Sequence, residues 1–97
     1  MANTYVVSGR LGGEPERHGD VVHFSLADNV GRDHTQWIRV STWGKTAELC
    51  QEYLAKGREV MISGQLKLGT YTNKDGEDRP SYDLNANAVT FLGSKDD

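Results

Sequence analysis

The chain has 97 residues, 36% of them hydrophobic and 26% charged, which suits a single domain with a modest core and makes association with further copies a natural way to cover the rest of its surface. Eleven Lys and Arg stand against 14 Asp and Glu, a formal net charge of −3. That is not the global signature of a nucleic-acid binder, although the acids gather at ends and turns (Glu14 and Glu16, residues 75–78, Asp96 and Asp97) and leave the local field over a face to be decided elsewhere.

Residues 5–11 read as a first strand, broken by Gly12-Gly13-Glu14-Pro15, which favours turns and cannot continue a ladder. Residues 21–27 alternate cleanly: Val22, Phe24 and Leu26 on one face, Val21, His23, Ser25 and Ala27 on the other. A polar loop is expected at residues 28–35. The third strand, Gln36-Trp37-Ile38-Arg39-Val40-Ser41-Thr42-Trp43, projects Trp37, Arg39, Ser41 and Trp43 together and Ile38 and Val40 the opposite way. With the aliphatic pair as the core side, the outer face carries two indoles around a guanidinium. Either unpaired bases stack there while their phosphates are held, or a second sheet or a subunit covers the rings.

Over residues 45–56 the period changes to helical, with Leu49, Cys50, Tyr53 and Leu54 on one side and Glu48, Gln51, Glu52 and Lys56 on the other. Gly57 is the expected stop. Alternation returns over residues 59–68, with Val60, Ile62, Gly64, Leu66 and Leu68 inward and Lys67 outward, joined on that outer face by Gly69 and Tyr71. The Asp75-Gly76 pair favours a hairpin, so residues 69–80 should form a projecting ribbon, with Pro80 where no ladder donor is needed. In the last strand, residues 81–91, Tyr82, Leu84, Ala86 and Ala88 are out of phase with Val89 and Phe91, which calls for a bulge near Asn87. The order strand, strand, strand, helix, strand, strand predicts an all-β fold: a five-stranded Greek-key barrel of the OB type with one α-helix between strands 3 and 4. An open α+β sandwich is the competing architecture. Residues 1–93 make one domain, followed by a short acidic tail at 94–97.

No apolar run is long enough to span a bilayer, and the first residues show no secretory signal. A cytoplasmic, nucleoid-associated protein without membrane contact is expected. Catalytic signatures are lacking. Gly44-Lys45-Thr46 lacks the glycine that a phosphate loop needs five residues before Gly44. His18, His23 and His34 have no metal-ligand spacing, so no metal and no cofactor are expected. Cys50 sits in the helical pattern as a small core residue. What remains is an aromatic and basic set: Trp37, Trp43 and Tyr71 to stack bases, with Arg39, Lys45, Lys56, Arg58, Lys67, Lys74 and Arg79 to hold phosphates.

From Trp37-Ile38-Arg39-Val40-Ser41-Thr42-Trp43-Gly44-Lys45-Thr46 through Tyr53-Leu54-Ala55-Lys56-Gly57, the chain closely resembles the bacterial single-stranded DNA-binding protein family. Gly64-Gln65-Leu66-Lys67, Tyr71, Asp75-Gly76-Glu77-Asp78-Arg79 and the opening Ser8-Gly9-Arg10-Leu11-Gly12 extend the likeness over almost the whole chain. The resemblance implies an OB fold, sequence-independent binding of single-stranded DNA, a homotetramer in most members (a dimer is the alternative), and roles in replication, recombination and repair. It matches Trp37, Trp43 and Tyr71 to stacking aromatics, and Arg39, Lys45, Lys56, Lys67 and Arg79 to basic positions. Gly69-Thr70 replaces a usual basic pair, Pro80 replaces an aromatic, and an aromatic before Trp37 is lacking. The family's tail with an acidic and hydrophobic tip that recruits repair proteins is missing from this sequence, which is either a truncated core or a short specialised paralogue, of phage or mobile-element type, that binds DNA without recruiting those partners. The alternative functions are an accessory primosome-type OB protein with weak DNA binding, or an oligomerisation module with Trp37 and Trp43 between subunits.

Overall fold

A computed structural model describes residues 4–29 and 35–92. The tail at 93–97, His34 and most of the loop expected at 28–35 lie outside the described residues. Six strands and one helix follow in order: β1 (Tyr5–Leu11), β2 (Glu16–His18), β3 (Val21–Asn29), β4 (Thr35–Trp43), α1 (Gly44–Tyr53), β5 (Glu59–Thr72) and β6 (Asp78–Phe91). The sheet runs β1-β5-β6-β4-β3-β2, and a further pairing of β1 with β3 closes β1, β5, β6, β4 and β3 into a ring. Only β4 and β6 run parallel. This is the expected five-stranded barrel, and three-residue β2, which the turn signals at residues 12–15 obscured, adds a short ribbon to β3.

The core is what the alternation promised. Val22, Phe24 and Leu26 of β3, Ile38 and Val40 of β4, Val60 and Ile62 of β5 and Leu84 of β6 are buried, and each such side chain contributes roughly 1.5–3 kcal/mol relative to exposure. Thr42 is the one polar side chain buried with them among the described residues; its hydroxyl donates to the Val22 carbonyl at 3.0 Å, which removes the penalty of an unpaired group. The expected bulge is present. Ser63 opposes Ala88 but Gly64 opposes Ala86, leaving Asn87 as the extra residue, so Leu84 and Ile62 can share the interior with Val89 and Phe91 at its margin.

Three expectations need correction. The helix ends at Tyr53 rather than Lys56: Leu54 is already extended (φ −97, ψ 149). The chain there is drawn across to β1, where Leu11 donates to the Arg58 carbonyl at 3.0 Å and accepts from the Gly57 N–H at 2.8 Å. Those tertiary bonds replace another helical turn, and Gly57 (φ 87) turns the crossing instead of capping the helix. On α1, Cys50 and Ala47 are buried but Tyr53 is 43% exposed, resting edge-on against Phe91. Leu68, expected inward, is 70% exposed, because β5 and β6 extend past the barrel as a two-stranded ribbon with none of the described residues covering it there. The ribbon's turn is organised by Asn73, whose side-chain oxygen accepts from the N–H groups of Asp75 and Glu77.

Candidate nucleic-acid interface

Strand β4 sets the site. Ile38, Val40 and Thr42 are fully buried while Trp37 and Trp43 are 54% and 46% exposed, so both indoles and Arg39 stand on the outer face of the barrel. Register carries that face across the sheet. Arg39 lies beside Ser25 on β3 and Asp83 on β6, and Asp83 lies beside Lys67 on β5. Ser41 lies between His23 and Asn85, and on the ribbon Tyr71 opposes Arg79. Polar positions of four strands therefore make one continuous surface around the two rings.

Two clefts open on it. The larger, about 1180 Å³, brings together Trp37, Arg39, Tyr71 and Arg79, with Asp83 and Tyr82 in its wall. A second, about 720 Å³, continues past Trp37 and Arg39 to His23, Ser25, Glu14 and Glu16. Trp37 and Arg39 stand on the divide between them. Tyr71 is 54% exposed, so this cleft offers two aromatic surfaces and two guanidinium groups at the foot of the ribbon.

The other sequence candidates are placed elsewhere. Trp43 is at the far end of β4, six residues from Trp37, or about 20 Å along a strand. Lys45 follows it in the first turn of α1, where the helix dipole disfavours a cation and so gives it no stabilising role. Lys56 and Arg58 lie in the crossing that pairs with Leu11; the Lys56 N–H lies 3.4 Å from a Glu14 carboxylate oxygen, and Arg58 is half-buried with its Nε enclosed and unpartnered. Lys67 is on the outer face of β5, and Lys74 is in the exposed ribbon turn. Among the described residues the one ion pair is Arg79 with Glu77 at 3.4 Å, an exposed pair of little energetic weight. Among the described residues, Arg39, Lys45 and Lys67 are in no ion pair.

Asp83 is the feature sequence reading missed. Its neighbours Tyr82 and Leu84 gave the apolar phase of β6, and the intervening polar positions were the signal that Ser81, Asp83 and Asn85 would face out. Set between Arg39 and Lys67, its carboxylate lowers the positive potential of the larger cleft. In the sequence His23 is a strand residue without metal-ligand spacing, and nothing there marks its place beside the clefts. It shares a 3.0 Å hydrogen bond between Nδ1 and Ser41 Oγ and stands 5.5 Å from the His18 ring. Burial, and then Arg39 and His18, hold its pKa below the ordinary histidine value, against an opposing pull from Glu16, so at neutral pH it adds no cation. Cys50 is buried, which pushes its thiol up to about 11, with the neighbouring Thr42 hydroxyl pulling weakly the other way. It packs; it does not react.

The family model for the single-strand binding protein family matches residues 2–92. The chain belongs to the single-strand binding protein family. Among its curated relatives are single-stranded DNA-binding protein 1 of Chlorobaculum tepidum, 34% identical over 97% of this chain and 67% of the relative, and the single-stranded DNA-binding proteins of Xanthomonas axonopodis pv. citri, 32% identical over 96% and 59%, and Neisseria meningitidis serogroup A, 33% identical over 98% and 62%. The chain thus spans between about three fifths and two thirds of the length of these relatives. A crystal structure of the small single-stranded DNA-binding protein from Streptomyces coelicolor superposes with a TM-score of 0.81 at 25% identity, over 93% of this chain and 94% of that one. In this member of the single-strand binding protein family, Thr70 and Pro80 oppose each other across the ribbon and both line the larger cleft. The positive charge in that cleft therefore comes from Arg39 and Arg79. No helix among the described residues is long and apolar enough to cross a membrane.

Proposed function

We propose that this chain binds single-stranded DNA without sequence preference, covering and protecting it during replication, recombination and repair in the cytoplasm, at the nucleoid. The observation that supports this most directly is the exposed Trp37 standing with Arg39, Tyr71 and Arg79 around one open cleft. A polynucleotide needs π-surfaces for its bases and cations for its backbone, alternating at close range, and every base has a face to stack. Trp43, Lys45 and Lys67 extend the track along β4 and across to β5, and Lys74, Lys56 and Arg58 flank it. The action is binding, with no bond made or broken and no cofactor. Residues 1–93 form the binding domain, with 94–97 an acidic extension.

Titration of tryptophan fluorescence with poly(dT) tests this. Four to six phosphate contacts give a slope of log K against log salt of about −3 to −4. Absence of quenching at low salt, or equal quenching by duplex and single strand, defeats the proposal.

Assembly into a homo-oligomer, a tetramer or a dimer, belongs to the same reading. From Tyr5 to Gly9, β1 pairs only with β5, meeting β3 at Arg10 and Leu11. Among the described residues one strand edge is thus open for most of its length, beside an outer surface that carries Val6, 57% exposed, and Met61, 37% exposed. Open edges invite a second strand unless something covers them. Sedimentation should return a multiple of the single-chain mass, and Val6→Glu should lower it. A single-chain mass at micromolar concentration overturns the assembly claim.

A further inference from the structure

We propose that Gly12 is a positioning residue for base stacking: the space its missing side chain leaves is occupied by the edge of the Trp37 indole and fixes that ring on the divide between the two clefts. This rests on the stacking role proposed for Trp37. A β-carbon built on Gly12 would lie 2.4 Å from Cζ3 and 2.8 Å from Cη2 of Trp37, with Cε3 at 3.6 Å. The contact is with the benzo edge of the ring. The π-faces are left to the clefts on either side, both of which Trp37 lines.

The backbone under the ring is pinned. Gly12 donates its N–H to the Ser25 carbonyl at 2.9 Å, and the preceding Leu11 is bonded on both sides to the crossing at Gly57 and Arg58. When an atom is inserted here, the part free to move is the indole, an exposed side chain with two rotatable bonds. Gly12 is not among the glycines with positive φ, so alanine is compatible with the backbone, and the cost of Gly12→Ala falls on the pose of the ring and little on the fold. Gly13 supplies the control. It also has no positive φ, and a β-carbon there meets nothing within 4 Å.

A double-mutant cycle reads the coupling. Gly12→Ala, Gly13→Ala, Trp37→Ala and the Gly12→Ala/Trp37→Ala pair are titrated with one dT oligonucleotide at one salt concentration, and thermal midpoints are recorded in parallel. Gly12→Ala should weaken binding by roughly three- to twenty-fold, part of the loss from removing the ring altogether. Gly13→Ala should stay within about two-fold, and Gly12→Ala added to Trp37→Ala should change affinity by less than about two-fold. A cost of Gly12→Ala that is equal with and without the indole means general structural damage and overturns the inference. So does unchanged affinity in Gly12→Ala while Trp37→Ala is impaired. If Trp37→Ala itself binds normally, the stacking reading falls and this inference with it, a result distinct from the other two.

Discussion

Replacing Trp37 or Tyr71 by alanine should each cost about 1–3 kcal/mol of affinity for single-stranded DNA, or roughly 5- to 150-fold, because each removes a proposed stacking surface from the larger cleft. If the two rings hold different bases the losses add, and Trp37→Ala/Tyr71→Ala should bind at least about 30-fold more weakly. Folding should be almost untouched, since both side chains are more than half exposed and surface changes usually stay within about 0.5 kcal/mol. Trp43→Ala should behave differently. Its ring is about 20 Å from Trp37 along β4, so its loss should weaken only oligonucleotides long enough to reach from one indole to the other. Equilibrium titrations against a ladder of dT lengths separate the three rings. A Trp37→Ala/Tyr71→Ala protein with parental affinity would remove the central element of the proposed interface.

The second large effect is on stability. Gly64 stands at the register shift between β5 and β6, where a β-carbon would come within 2.0 Å of the Asn85 carbonyl oxygen and 2.9 Å of the Ala86 Cα. These are backbone atoms held in the ladder, so they cannot rotate away as a side chain can. Gly64→Ala should therefore destabilise the fold by about 2–4 kcal/mol through overpacking, lowering the thermal midpoint by roughly 10–20 °C in a domain of this size. Circular dichroism melting checks it. An unchanged midpoint would mean that the bulge is plastic and that the close approach of β5 to β6 is not a constraint on this barrel.

Much of this molecule was legible residue by residue. Alternation in β3 and β4 assigned inner and outer faces correctly, because each residue on a strand turns its side chain to the face opposite its neighbour's. The phase slip in β6 gave the bulge near Asn87 for the same reason. Signals that depend on competition between partners were less legible. Gly57 looked like a helix stop, yet the helix ended three residues before Lys56, where the backbone of Leu11 offered hydrogen bonds to the crossing. Leu68 followed the inward phase of β5 but is uncovered, because periodicity names a face without saying whether anything packs on it.

The candidate site divides along the same line. By itself the sequence determined that Trp37, Arg39 and Trp43 share the outer face of one strand, since those three positions are related by a local two-residue period and need no partner to be defined. The tertiary structure alone decided which of the distant candidates join them. Parallel pairing of β4 with β6 and antiparallel pairing of β6 with β5 bring Arg79 and Tyr71 to Trp37 and set Asp83 among the cations, while Trp43 and Lys74 are left at separate ends of the surface. Which strands become neighbours when a sheet closes on itself is fixed by burial of the whole core at once, and no local stretch of residues carries that information.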